Sequence, residues 1–309
     1  MLRLAPTVFS IAISLLALSS LGVAEHKIEI KVSNAVFTVT VPDNELKATD
    51  ADLTTYVQHG ANAIVRYFGK FPMDHVNLNI RAVGGNRVRF GHTSPMNGGT
   101  ITMMIGRDAT AATLMDDWTL THEMTHLAFP ATREDDREWI AEGMATYIEP
   151  VARAQMGYLT PEYVWNEFVD DMPKGEPQPG DEGLDNTQTW GRTYWGGALF
   201  CMVADVEIRR ATKNKKGLQD AFRAIMDDKG TIAYTWPIAM IFKEGDQATG
   251  THVLEDLYAE WKDKPVTVDL PKLWHDLGVE KKGDTVVFHD DAPDAAVRKA
   301  ITGDTMKPR

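Results

Sequence analysis

The chain has 309 residues, 43% hydrophobic and 25% charged, which is enough apolar material for a substantial core in one domain or two closely packed subdomains. Its formal net charge of −12, from 44 acidic against 32 basic residues, argues against nucleic acid or an anionic membrane surface as partner. The lone cysteine, Cys201, excludes an internal disulfide, and its neighbours Phe200, Met202 and Val203 mark it as a buried structural thiol.

Residues 1–24 combine Arg3, an apolar run from Val8 to Leu21, and the small residues Gly22, Val23 and Ala24. That pattern predicts a secretory signal peptide cleaved after Ala24, hence a secreted or periplasmic protein. An uncleaved anchor is the alternative. The run is near the lower length limit for a span and is diluted by Ser10, Ser14, Ser19 and Ser20, so no stable membrane insertion is expected after cleavage.

From residue 27 to 42 apolar and polar residues alternate around Asn34, which predicts a β-hairpin or two edge strands. Leu53, Tyr56, Val57, Ala61, Ile64 and Val65 are spaced as a helix over 50–67, with Asp50 as N-cap. Val76 to Val83 reads as a strand closed by the turn signal Gly84-Gly85-Asn86, Arg87 to Phe90 as a further short one, and Thr100 to Ile105 as the next.

The chain is organised around the run His122-Glu123-Met124-Thr125-His126. Histidines four apart on a helix share a face, where two imidazoles can grip one metal ion. Glu123 is rotated roughly 100° from His122 and flanks the metal, where a base takes the proton from the attacking water. Ala111, Ala112, Met115, Trp118 and Leu127 supply apolar flanks to this helix, and Pro130 stops it. A catalytic zinc takes three protein ligands and leaves one position open. The third candidate lies in the next helical pattern, 138–149, where Trp139, Ile140, Met144, Tyr147 and Ile148 form a stripe and Pro150 comes directly after. Glu142 lies beside that stripe and points inward, where a carboxylate needs a cation or hydrogen-bond donors, and a zinc held by the two histidines would be that cation. Arg137, Glu138 and Glu149 read as solvated helix face.

HEMTH followed by WIAEGMATYIE resembles the zinc site of the gluzincin metallopeptidases, and is similar to the M1 and M61 aminopeptidase families, whose second helix typically reads W-L-x-E-G-x-A-x-Y. The resemblance implies zinc on His122, His126 and Glu142, with Glu123 as general base. It departs in two places: the gap between His126 and Glu142 is shorter than in M1, and Thr146 stands where thermolysin-like relatives carry an aspartate that braces a histidine. In these families the strand just before the zinc helix edges the cleft and hydrogen-bonds the substrate backbone. That assigns substrate binding here to Asn97, Gly98 and Gly99. The run MNGGTIT lacks the glutamate that grips a free amine in M1, which favours endopeptidase action. Thr193-Tyr194-Trp195-Gly196-Gly197-Ala198-Leu199-Phe200 resembles the Y-x-x-G-x-x-L stretch whose tyrosine stabilises the oxyanion, a role that falls on Tyr194.

Between Arg153 and Gln188 the sequence reads as a polar connection rich in Pro, Gly and acid, a cleft wall or a plain surface excursion. Helices are expected over 198–211, 218–228, 236–242 and 253–261, and a strand at Val286 to Phe288. His92, His252, His275 and His289 have no partner motif.

The expected fold is α+β. A small mixed β-sheet subdomain precedes the HExxH helix and a mostly helical subdomain, together a thermolysin-like catalytic domain by the resemblance. Residues 25–106 form the β-rich part with one helix and the cleft-edge strand, and 107–309 the zinc-binding and helical part of the same catalytic unit. The expected function is a zinc-dependent, aminopeptidase-like metallopeptidase acting on peptide or protein substrates. The alternatives are an endopeptidase of the same zinc type, or a metal-retaining peptide-binding protein without turnover.

Overall fold

The computed structural model describes residues 24–132 and 138–303; the signal-peptide segment up to residue 23 and the helix-face position of Arg137 lie outside them. Strands β1 (Glu25–Val32) and β2 (Ala35–Pro42) form the expected hairpin, turned at Ser33 and Asn34, with Ile30 facing Phe37. Alternation places Phe37, Val39 and Val41 in the core. Helix α1 (Asp50–Phe68) comes next. Its N-cap is Thr49 rather than Asp50: the Thr49 hydroxyl and the Asp52 carboxylate close a reciprocal capping box.

Beyond it lie β3 (His75–Val83), β4 (Val88–Ser94), a short 3-10 turn over Met96–Gly98, and β5 (Thr100–Gly106). The five strands make one mixed sheet in the order β1-β2-β3-β5-β4, parallel at β2/β3 and β3/β5 and antiparallel elsewhere. Thus β5, expected at the cleft edge, is interior, and β4, like β1, lies at an edge of the sheet among the described residues. The three residues assigned to substrate binding serve the turn between them. Asn97, Gly98 and Gly99 all take positive φ, the backbone state that glycine adopts without a steric cost.

The expected helix from Ala111 onward is two helices, α2 (Ala111–Met115) and α3 (Thr119–His126). Asp117 starts the second one afresh: its carboxylate accepts the Leu120 N–H at 3.1 Å and the Thr119 hydroxyl at 2.9 Å, and also holds the Tyr56 hydroxyl of α1. A short β6 (Ala131–Thr132) leads to α4 (Glu138–Gln155), which runs through Pro150 instead of ending before it. Proline removes one helical bond, at a cost of about 3 kcal/mol. Burial of Val151, Ala152 and Ala154 beyond it offsets that loss.

The polar connection contains a helix of its own, α5 (Pro161–Asp171), capped by the Thr160 hydroxyl and burying Val164, Trp165 and Phe168. A π-helical turn over Gly191–Gly196 opens α6 (Gly197–Ala211). The remaining elements are α7 (Leu218–Asp227), β7 (Thr235–Trp236) paired to β6, α8 (Ile238–Thr249), α9 (Val253–Trp261), α10 (Leu270–Leu277), the hairpin β8 (Val279–Lys282) and β9 (Thr285–Phe288), and α11 (Ala295–Thr302). Cys201 is buried, as expected. Among the described residues no helix is long and apolar enough to cross a membrane. Helix α4 is the hub: it packs on α1, α3 and α6 and so joins the sheet half to the helical half.

Candidate metal centre

Helix α3 presents His122 and His126 one turn apart, their rings 4.9 Å between centroids and nearly perpendicular. Helix α4 crosses it and presents Glu142. Glu142 Oε2 lies 3.2 Å from His122 Nε2 and 3.6 Å from His126 Nε2. All three ligand atoms lie within 4.8 Å of one another. Two imidazole nitrogens and a carboxylate oxygen are a zinc donor set. Bonds of roughly 2.0–2.1 Å in a tetrahedron put ligand atoms about 3.3 Å apart, and the two separations from Glu142 Oε2 straddle that edge. The residues present therefore fit a zinc ion.

The electrostatics agree. Burial alone would raise the Glu142 carboxyl, but the His122 and His126 imidazoles outweigh it and hold the group well below the usual carboxylate range. The carboxylate is thus in the deprotonated form that a metal requires. Burial would lower His126, yet the Glu142 and Glu123 carboxylates raise it above its ordinary value.

The centre opens on a cleft of about 480 Å³, walled on one side by β4 residues 89–93 and on the other by Glu138, Ala141, Glu142 and Tyr194. Glu123 lines the cleft between them. Its Oε2 accepts the Thr93 hydroxyl at 2.7 Å. Asn97, Gly98 and Gly99 are not among the lining residues, whereas Pro95 is.

Tyr194 reaches the cleft because α4 and α6 touch backbone to backbone. A Cβ added at Gly143 would lie 2.2 Å from the Gly197 backbone, so any side chain there would drive the helices apart. Gly143 follows Glu142 directly and Gly197 stands three residues after Tyr194, which brings the phenol beside the carboxylate. Its ring stacks at 6.4 Å on His122 and at 6.0 Å on the exposed Trp190. Burial, and then the charges of Glu142, Glu123 and Glu138, push the phenol up to about 12, so it stays a neutral donor through the physiological range. Arg192, two residues before it, is buried. Its guanidinium pairs with Asp181 at 2.7 Å and donates to the Gly175 carbonyl at 2.5 Å, pinning the 172–190 connection to the π-helical turn.

Sequence reasoning missed Gly91, His92 and Thr93, all on the edge strand and all lining the cleft. The available signal was Gly91, since a glycine inside a strand marks a close backbone approach. Glu149, expected on the solvated face, is buried and bonds Arg153 at 2.7 Å.

No protein-family model matches this chain, and no curated protein matches it. Among solved structures its fold is similar to that of an aminopeptidase N family protein from Idiomarina loihiensis, with a TM-score of 0.58 and 12% identity, covering 82% of this chain and 49% of that one. A mutant of the M1 zinc metallopeptidase from Deinococcus radiodurans is also similar, at a TM-score of 0.49 and 12% identity, covering 80% of this chain and 54% of that one. The chain thus spans about half the length of these proteins. At this identity the likeness is one of fold.

Proposed function

We propose that the protein is a zinc metallopeptidase of the gluzincin kind, with a thermolysin-like catalytic arrangement. The observation that carries this reading is the convergence of His122 Nε2, His126 Nε2 and Glu142 Oε2 on one point of an open cleft that Glu123 also lines. When bound, zinc polarises the scissile carbonyl and brings the pKa of a water to roughly 7. Glu123 accepts the proton of the attacking water and passes it to the leaving amine. The Tyr194 hydroxyl donates to the oxygen on which charge develops. The unpaired edge of β4 takes the substrate backbone as an added strand.

Aminopeptidase-like action is supported by Glu138, a carboxylate at the cleft wall suited to a substrate's free amine, and by the kind of protein whose fold this one shares. Endopeptidase action is the second reading, favoured by the lack of any acidic residue from Val88 to Gly99 along the edge strand and its turn. We place the activity outside the cytosol on the strength of the N-terminal sequence. The test is a mixed peptide library treated with purified zinc-loaded protein and with its Glu123→Gln variant. Loss of single N-terminal residues identifies an aminopeptidase and new internal ends an endopeptidase. Glu123→Gln should keep its zinc and lose turnover by roughly 10²–10⁴-fold. A parent that holds zinc and cleaves nothing is a binding protein, and the enzyme reading falls.

A further inference from the structure

The edge strand does more than wall the cleft. Gly91 and Thr93 stand two apart on β4 and so share a face of the strand, and both meet Glu123. The Thr93 Oγ1 lies 2.7 Å from Glu123 Oε2 and 2.9 Å from the Glu123 main-chain carbonyl. A threonine hydroxyl carries one proton, and an ionised carboxylate and a carbonyl can only accept. The charged oxygen is the stronger acceptor and takes the bond. At Gly91 an added Cβ would come within 2.6 Å of Glu123 Cγ and 2.8 Å of Oε1, so the bare backbone lies directly against the other side of the carboxylate.

A glutamate has three side-chain torsions, and one placed on a cleft wall with water on one side samples several rotamers. Here the strand removes that freedom: a hydroxyl holds Oε2 and a glycine backbone bounds Oε1. We propose that Thr93 is a positioning residue for Glu123, its hydroxyl fixing the carboxylate in the one orientation from which it meets the attacking water. The proposal rests on the reading of Glu123 as the base. The hydroxyl donates to Oε2 and leaves the carboxylate's remaining lone pairs free to take the proton of the water and hand it on to the leaving amine. Valine has the same shape and β-branching and has no proton to donate.

The experiment uses zinc-loaded protein, a peptide cleaved in the library, and the variants Thr93→Val, Thr93→Ser, Glu123→Gln and the double Thr93→Val/Glu123→Gln. Thr93→Val should lower kcat roughly 10–100-fold, the scale of other partners that orient a catalytic group. KM, zinc content and thermal midpoint should stay at the parental values. Thr93→Ser, which keeps the hydroxyl, should recover most of the lost kcat. In the Glu123→Gln background the valine should cost nothing further, because it acts through the group already removed. Parental kcat in Thr93→Val overturns the proposal, as does a loss that serine shares, a loss accompanied by loss of zinc, or an equal further loss in the double variant. If Glu123→Gln itself retains turnover, the base assignment fails and this inference falls with it. If Glu123→Gln is inactive while Thr93→Val is not, only this inference fails.

Discussion

Glu142 and Glu149 stand seven residues apart on α4, two turns along nearly the same face, and yet they are opposite kinds of carboxylate. Glu142 meets two imidazoles at the edge of a cleft, with a quarter of its side chain exposed, and sits well below the ordinary carboxylate range. Glu149 lies in the core with one partner, Arg153, at 2.7 Å, and burial outweighs that partner and raises it to about 7. A direct guanidinium contact thus fails to offset dehydration in one place, while two imidazoles succeed in the other. The difference is solvent. At the cleft the carboxylate keeps part of its hydration, so modest donors suffice. In the core it keeps none, and even a full positive charge beside it leaves burial the larger effect. The first arrangement leaves its donor atoms turned towards a common point and open to an incoming cation. The second spends them on each other.

The largest separation between the two should come from removing each carboxylate. Glu142→Ala takes away the anion proposed as a zinc ligand, so zinc affinity should fall by more than the roughly 10–100-fold that loss of a partner behind a ligand costs. Competition against a chelator reads this directly. If the variant keeps stoichiometric zinc at parental affinity, Glu142 is not a ligand and the centre has been misassigned. Glu149→Ala should leave zinc binding untouched. It strands the Arg153 guanidinium in the core, however, and about 3–5 kcal/mol of stability at pH 8 should be lost. Denaturant unfolding in the zinc-saturated state measures it. A Glu149→Ala variant as stable as the parent means that Arg153 reaches solvent or another partner, and the contrast between the two sites collapses.

The same divide separates what was legible in the sequence from what was not. His122, His126 and Glu142 were readable because helical spacing sets direction: i and i+4 share a face, and a carboxylate beside an apolar stripe points inward. Glu149 stands on the same helix and was misjudged, because the continuation of α4 through Pro150 buries a face that was expected to end there. Proline is a strong local signal, but the tertiary burial of Val151 and Ala152 overrode it. The cleft edge was misjudged for a topological reason. Strand spacing along the chain does not say which strand is outermost, and the crossover that pairs β5 with β3 leaves β4 at the edge. The glycines at 98 and 99 carried a true signal of special backbone, but it belonged to a turn. The contact of Thr93 with Glu123 joins residues 30 apart on different elements, and no local pattern encodes it.

The smallest effect, and the finest test of the comparison, is the pH dependence of stability that Glu149 contributes. Its folded value of about 7 lies above the ordinary 4.5, so between those two the native state holds a proton that the unfolded chain has released. Stability rises with pH only where the unfolded state binds more protons, and here it binds fewer. The contribution of Glu149 is therefore fully present below about pH 4.5, declines as pH rises towards 7, and is flat above that. A shift of this size corresponds to a loss of roughly 3 kcal/mol across the window, as an upper figure. Other groups titrate in the same range, so the quantity to measure is the unfolding free energy of the parent minus that of Glu149→Gln, both with zinc saturated, from pH 5 to 8. The amide keeps the shape and the bond to Arg153 but has no proton to release. The difference should shrink steadily up to pH 7 and then stop changing. A difference that is flat throughout would mean that Arg153 holds Glu149 ionised as firmly as the imidazoles hold Glu142. A difference that grows with pH would mean that the pair wins outright over burial. In either case the two carboxylates of α4 would be alike in kind, and only their distance from the cleft would separate them.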